Sequence, residues 1–158
     1  MQKNINIQNK KARFEYEVLD TYIAGIQLTG TEIKSIRESK ARITESFCEF
    51  NEKGELFVIN MFIEQYSHGS FYNHRSKSQR KLLLNKKELK KLQKEVQNVG
   101  LTIIPLRHFS TDKGWAKLKI GHCRGKKLYD KRQVLKDRDH KKSLDRLNIY
   151  YTCGGLFF

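Results

Sequence analysis

The residues suited to acid–base, metal or nucleophilic chemistry are five histidines, His68, His74, His108, His122 and His140, and three cysteines, Cys48, Cys123 and Cys153. Their spacing makes no HExxH motif, no CxxC pair and no GxSxG elbow, so the zinc-peptidase, zinc-knuckle and serine-hydrolase patterns are missing. The cysteines are odd in number and far apart, which gives no disulfide framework; they read as free buried thiols of a reducing compartment. Glu15 and Glu17 share one strand face among basic neighbours and read as surface. The run Gly121–Lys127 is a fragment of a phosphate-binding loop that lacks the full spacing and a following apolar helix. No catalytic residue, metal ligand or cofactor is expected, and the chain reads as no enzyme.

The chemistry that does stand out is phosphate binding. Lys and Arg number 32 against 17 acidic residues, a net charge of +15 in 158 residues. Such an excess repels itself until a polyanion screens it, and nucleic acid is the leading partner. An anionic membrane surface is the weaker alternative, and no apolar run approaches the ~20 residues that span a bilayer. The polar start at Met1-Gln2-Lys3-Asn4 has no apolar leader, so a soluble, cytoplasmic protein is expected. The cations fall into groups: Lys10, Lys11 and Arg13; Lys34 and Arg37; Arg80 and Lys81; and a dense tail. Each alone is ordinary surface charge, but together with +15 they suggest a shared phosphate-binding face. Phe71, Tyr72, Phe109 and Tyr129 stand near cations and could stack on unpaired bases.

The elements that must position them are short. Residues 1–12 read as a flexible basic arm. Phe14, Tyr16 and Val18 alternate with charged residues as in a half-buried strand, and Ala24–Leu28 reads as another. Thr31 is a candidate cap for a helix through Arg37, with Ile33 and Ile36 inward. Phe47–Phe50 and Leu56–Ile63 read as strands around a turn at Asn51–Gly54. Residues 65–80 form a long polar loop. Leu89, Leu92, Val96 and Val99 space as one helix face ended by Gly100. Leu101–Leu106 and Trp115–Gly121 read as strands around a turn at Ser110–Gly114. The fold class is mainly β with α: a small antiparallel OB-like barrel over 13–123 with interleaved helices, a closure that removes exposed edges. Residues 124–158 are rich in cations and poor in apolar side chains. They read as a basic C-terminal tail, disordered alone and helical on a polyanion.

Four blocks resemble the SmpB family. They are Asn9–Arg13 with Ala24–Arg37, Arg80–Asn85, Gly100–Leu106, and Gly125–Arg132, in order over residues 9–138. The resemblance implies an RNA-binding adaptor of trans-translation. Its barrel would hold the tRNA-like domain of transfer-messenger RNA. Its tail would occupy the decoding centre and empty messenger channel of stalled ribosomes, against small-subunit ribosomal RNA. Elongation factor Tu and alanyl-tRNA synthetase would be reached indirectly through the RNA, with no membrane involved. On the barrel the resemblance and the charge pattern together point to Asn9, Lys10, Arg13, Glu32, Lys34, Arg37, Lys81, Leu83 and Lys117 as RNA-binding. On the tail they point to Lys126, Lys127, Tyr129, Asp130, Lys131, Arg132, Lys136 and Arg138. Tyr129 stands where the family often has His, so it can stack but carries no charge. Ile23 stands where many relatives have an acidic residue, and the end Tyr150–Phe158 is apolar where relatives are basic. The alternative is a ribosomal or ribosome-assembly RNA-binding protein of a general kind.

Overall fold

A computed structural model describes residues 5–153, and the side chains of residues 5–147. In chain order the elements are β1 (Asn6–Gln8), α1 (Lys10–Glu15), β2 (Tyr16–Ile26), α2 (Gly30–Arg37), β3 (Ala41–Arg42), β4 (Phe47–Phe50), β5 (Leu56–Ile59), β6 (Phe62–Ile63), β7 (Arg80–Leu83), α3 (Lys86–Val96), β8 (Leu101–Ser110), β9 (Ala116–Gly125) and α4 (Leu128–Cys153). Strands β8, β4, β5, β7, β2 and β9 pair in that order, and β9 pairs back onto β8. The result is a closed antiparallel ring, the barrel expected from the sequence. β1 adds to a free stretch of β8, and β3 with β6 forms a separate two-stranded ribbon.

Period-2 burial builds the interior. Ala24 and Ile26 of β2, Leu82 of β7, Ile103 of β8, and Leu118 and Ile120 of β9 all point in. Leu56, Val58, Met61 and Ile63 complete this core, with Ile36 of α2 and Leu92 of α3 fully buried against it. Each such side chain contributes about 1.5–3 kcal/mol of burial free energy. A second, smaller core lies on the other side of the sheet. There α1 covers β8 and β9, joining Ala12 to Ile104, Leu106 and Cys123. Because both faces are covered, Ile103, Ile104, Pro105 and Leu106 are all buried, and the strand reads as a continuous apolar run. Gly121 sits in this layer: a Cβ there would come within 2.8 Å of Leu106 Cδ1. Its place is close strand packing, and it cradles no phosphate.

Several expected boundaries move. The arm is structured from Ile5 onward: Asn6, Ile7 and Gln8 pair with Phe109, His108 and Arg107. The Ile5 N–H, in a buried residue, donates to Ser110 Oγ at 3.0 Å. Apolar Ile5 and Ile7 and the free edge of β8 account for this. Residues 10–15 are helical, since the Asn9 side chain caps α1 by accepting from the Ala12 N–H at 3.0 Å. β2 is one strand of 11 residues, with a register shift between Val18 and Asp20 that breaks the alternation. Leu56–Ile63 splits at Asn60, whose φ of 59° turns the chain out of β5. Arg80–Leu83, read only as basic residues before an apolar run, is a barrel strand. α2 starts earlier than the Thr31 cap implies, with Glu32 Oε2 accepting the Thr29 N–H at 2.8 Å. The helix read over 89–99 lies at Lys86–Val96 and leaves Val99 exposed. Gly100 takes φ of 86° just before β8. β9 keeps pairing through Arg124 and Gly125 with Glu17 and Tyr16, so the chain divides between Gly125 and Lys126 rather than after residue 123.

The basic tail takes the form of one helix, Leu128–Cys153. No Pro or Gly interrupts residues 126–153, and Lys, Arg, Leu and Gln favour helix. Across Leu128–Leu147 every side chain but Lys131 and Val134 is exposed, and those two are half-exposed.

One ion pair ties the barrel wall to α2. Arg80 Nε donates to Glu32 Oε1 at 2.7 Å, with both side chains almost wholly buried. Arg80 Nη1 donates to Met61 O at 2.7 Å and Ser78 O at 2.8 Å, and Nη2 to Arg75 O and Ser76 O at 3.4 Å each. Removing one partner strands the other's charge, so Arg80→Ala or Glu32→Ala is expected to destabilise the chain by about 3–5 kcal/mol. Urea unfolding of each variant measures the loss; an effect below about 1 kcal/mol contradicts the pairing.

His108 gives a second expectation. It is fully buried in β8, and neither ring nitrogen has a hydrogen-bond partner. Burial pushes its pKa down to about 4, so the folded state holds it neutral. The folded value lies below the ordinary one of about 6.5. This contribution is therefore complete above pH 6.5 and is lost as pH falls toward 4. His108→Leu should flatten that acid limb and raise Tm at pH 5 by roughly 5 °C relative to the parent, read by thermal melts from pH 7 to pH 4.

Candidate nucleic-acid interface

The outer face of the barrel is built by register. Gly25 of β2 pairs with Leu83 of β7 on one side and Lys117 of β9 on the other, and Lys117 pairs in turn with Phe109 of β8. One step along, Ile23 pairs with Lys119, and Lys119 with Arg107. Ala24, Leu82, Leu118 and Ile120 point inward, so alternation sends these partners outward. Ile23 is 55% exposed and Leu83 54%. Two apolar side chains therefore lie open beside Lys117, Lys119 and Arg107. Gly25 leaves a shallow gap between them; a Cβ there would already touch Leu83 Cβ at 3.4 Å. The Arg107 guanidinium lies 5.4 Å from the Phe109 ring and its Nε donates to Asn6 Oδ1 at 2.8 Å, which fixes its direction. Such a face can take a ribose or base against Ile23, Gly25 and Leu83 and phosphates on its cations.

The nine expected barrel residues are spread over several elements: Asn9, Lys10 and Arg13 at α1, Glu32, Lys34 and Arg37 on α2, Lys81 and Leu83 on β7, and Lys117 on β9. Lys81, Leu83 and Lys117 come together around the end of β2. Lys81 is held by an ion pair with Glu55. The Lys81 ammonium, then the Asn51 amide, hold the Glu55 carboxyl below its ordinary range. Lys10 and Arg13 lie on α1, before the Tyr16 end of β2. Nine strand residues, about 30 Å, separate that end from Gly25. Lys34 and Arg37 are exposed on α2, with Lys34 Nζ 5.3 Å from the Tyr66 ring. The expected cations thus sit on α1, on α2 and around the end of β2.

Asn9 and Glu32 are corrected: they face the interior. Asn9 is 1% exposed, and its Nδ2 donates to Ile43 O and Pro105 O, each at 3.1 Å. Glu32 is 3% exposed and spent on Arg80 and the start of α2. Both support surface segments from behind. Ile23, Gly25, Arg107 and Lys119 carry the face and were not singled out as binding residues. The period-2 run Lys117-Leu118-Lys119-Ile120 was the available signal for Lys119.

The tail residues Tyr129, Asp130, Lys131, Arg132, Lys136 and Arg138 lie on α4, and Lys126 and Lys127 precede it. Tyr129 is 77% exposed.

Two of the three cysteines are inert as placed. Cys48 and Cys123 are free and buried; burial pushes the Cys48 thiol up strongly and Cys123 up to about 11, so neither forms a thiolate near neutrality. The side chain of Cys153 lies outside the described residues. His74, read as a solvated loop residue, is buried. Its Nδ1 shares a hydrogen bond with Thr31 Oγ1 at 3.0 Å, and its Nε2 lies 3.3 Å from Ile63 O. Among the described residues no cluster of three His, Cys, Asp or Glu could hold a metal ion. No described helix is long and apolar enough to cross a membrane.

Comparison with known proteins adds independent findings. The sequence pattern of the SmpB protein family matches residues 6–149. The SsrA-binding protein of Flavobacterium johnsoniae is 63% identical over 152 residues, covering 96% of this chain and all of its own length. That of Christiangramia forsetii is 62% identical over 151 residues, 96% of each chain. That of Sinorhizobium fredii is 45% identical, covering 92% of this chain and 91% of its own. A chain in the solved structure "tmRNA-SmpB: a journey to the center of the bacterial ribosome" superposes with a TM-score of 0.66 at 45% identity, over 78% of this chain and 86% of that one. A closed barrel with this open basic face, and a sequence matched nearly end to end, lead to one conclusion: the chain belongs to the SmpB family.

Proposed function

We propose that this protein is the RNA-binding adaptor of trans-translation. Its barrel binds the tRNA-like domain of transfer-messenger RNA and brings it to stalled ribosomes, and its basic helix enters the decoding centre and the empty messenger channel. The observation that carries the reading is the row Leu83–Gly25–Lys117 with Lys119 and Arg107 beside it. A folded RNA offers its backbone and unpaired loops to such a surface, and recognition there rests on shape and stacking more than on base sequence. The chain's relatives are SsrA-binding proteins, and the matched structure is of a tmRNA–SmpB complex on the ribosome. The adaptor makes no bond itself; elongation factor Tu and alanyl-tRNA synthetase act on the RNA it holds.

The helix has a different task. Its 26 residues reach about 39 Å at 1.5 Å per residue. Its exposed side chains give it little to fold against, so alone it is an isolated helix of marginal stability. A ribosomal-RNA channel supplies the missing partner: phosphates meet Lys126, Lys127, Lys131, Arg132, Lys136 and Arg138, and Tyr129 stacks on a base. Helix–coil exchange in the free chain, quenched in the channel, makes the segment a sensor of an empty channel. A messenger strand would exclude it.

Lys117→Glu is expected to weaken binding to the tRNA-like RNA at least tenfold and to lower the salt slope by about one. Lys10→Ala, at the other end of β2, should stay within about threefold. Filter binding across a salt series reads both, and equal effects would remove the platform assignment. Ending the chain after Gly125, or breaking α4 with Val134→Pro, a helix penalty of about 3 kcal/mol, should leave RNA affinity within about twofold. Either change should abolish ribosome-dependent peptide tagging. Simultaneous loss of binding and tagging would contradict the two-part division.

A further inference from the structure

A second concave site lies off the platform. A cleft of about 370 Å³ is lined by Arg42, Thr44, Glu45, Asn60, Phe62 and Lys77. None of these residues lies on β2, β7, β8 or β9. Its volume falls in the range of roughly 300–1,000 Å³ typical of ligand sites. The ribbon of β3 and β6 makes its floor. Ala41 pairs with Ile63 and both are buried, so the next pair, Arg42 and Phe62, faces out side by side. Lys77 comes from the long loop, which is pinned to β6 by the Ile63 N–H donating to Ser76 O at 2.9 Å.

The rim is rigid. The turn at Thr44 and Glu45 is held by Asn9 Nδ2 on Ile43 O at 3.1 Å, Ser46 Oγ on Ile43 O at 2.6 Å, and Asn60 Nδ2 on Glu45 O at 3.2 Å. The backbone around Glu45 is thus committed while its carboxylate is not. Among the described residues no ion pair or hydrogen bond engages the side chains of Arg42, Glu45 or Lys77. Two free cations, one free carboxylate and an aromatic ring line one preorganised cleft.

The ligand follows from that inventory. The ring offers a stacking face and the cations a phosphate. The carboxylate offers two acceptor oxygens side by side. Among the bases, guanine carries two adjacent N–H donors, N1 and N2, on its Watson–Crick edge. We propose that this cleft binds one unpaired guanine nucleotide of RNA, with the base on Phe62, its N1 and N2 donating to Glu45, and its phosphate on Arg42 and Lys77. This rests on the RNA-binding reading and adds a base-specific contact to it. The guanine could belong to the tRNA-like RNA or to ribosomal RNA; the chemistry is the same, and experiment separates the sources.

The first test uses the full chain and labelled single-stranded hexanucleotides differing only in a central G, A, C or U, read by fluorescence anisotropy. The G-containing strand should bind at least fivefold tighter, as one bidentate base contact provides. Glu45→Gln should abolish that preference, and Arg42→Ala should weaken all four strands. Both sites are on exposed side chains, and circular dichroism verifies that the variants fold. Binding to the tRNA-like RNA is measured in parallel. If that binding is present but no base preference appears, the guanine pocket is wrong and the adaptor reading stands. If that binding is absent, the adaptor reading fails. The second test is kethoxal, which modifies unpaired guanines at N1 and N2. A guanine protected by the parent but not by Glu45→Gln, in either the tRNA-like RNA or the small subunit, supports the pocket and names its source. Such a guanine in neither RNA overturns it.

Discussion

A guanidinium buried inside a small barrel organises much of what surrounds it. Arg80 alone links β7 to α2 through Glu32, to the end of the β5–β6 segment through Met61 O, and to the long loop through the carbonyls of Arg75, Ser76 and Ser78. Desolvating such a pair is expensive, and it repays only when the remaining donors are also satisfied. Here the carbonyls of an irregular segment satisfy them. The pair therefore sets the conformation of chain that has no ladder of its own, and places Leu83 and Lys81 three and one residues further along β7. A positively charged residue spent inside thus fixes the positions of those that remain outside.

The same economy recurs at Asn9. Its amide closes on two distant carbonyls, one in the Ile43–Ser46 turn and one in β8, and its oxygen starts α1, so one side chain fastens the N-terminal segment, that turn and β8. Like Glu32, it is a buried polar residue that holds surface segments in place from behind. Substituting either would deform a surface whose own contacting residues are unchanged.

What the sequence discloses depends on how local the controlling interaction is. The barrel class was legible because most of its strands are announced by their own alternating or continuously apolar residues, although β7 was not read as one. The helix spacing at Leu89, Leu92 and Val96 was legible for the same reason. Misreadings fall where a partner far along the chain decides. Ile5 and Ile7 look like part of a polar arm until the free edge of β8, about a hundred residues away, receives them. Phe14 continues an apparent strand until the Asn9 cap imposes a helix. β2 looks like two strands because its bulge shifts the alternation by one. At the site, Leu83 and Lys117 were reachable through family resemblance. Gly25 became evident only once three strands were in register, and Lys119 only through the alternation of its own strand.

Charge is the quantity that the fold divides. On the barrel, cations are spaced out, and several are matched by carboxylates: Lys81 by Glu55, Lys91 by Asp20 and Glu95, Lys40 by Glu38. Some cations without a carboxylate partner stand beside an aromatic residue, such as Lys117 beside Phe109 and Arg42 beside Phe62. A cation beside a ring binds a nucleotide better than it binds bulk phosphate, because stacking adds what salt cannot screen. α4 is the opposite case, dense in charge with few rings, so its attraction is general and falls steeply with ionic strength. In the adaptor proposed above, a chain that holds one RNA by the first kind of contact would deliver the second kind to a ribosome as a tethered group. Its weak, unspecific attraction then acts at a high effective concentration. Under that proposal selectivity would reside mainly in the barrel, and the helix would respond to whether a channel is open.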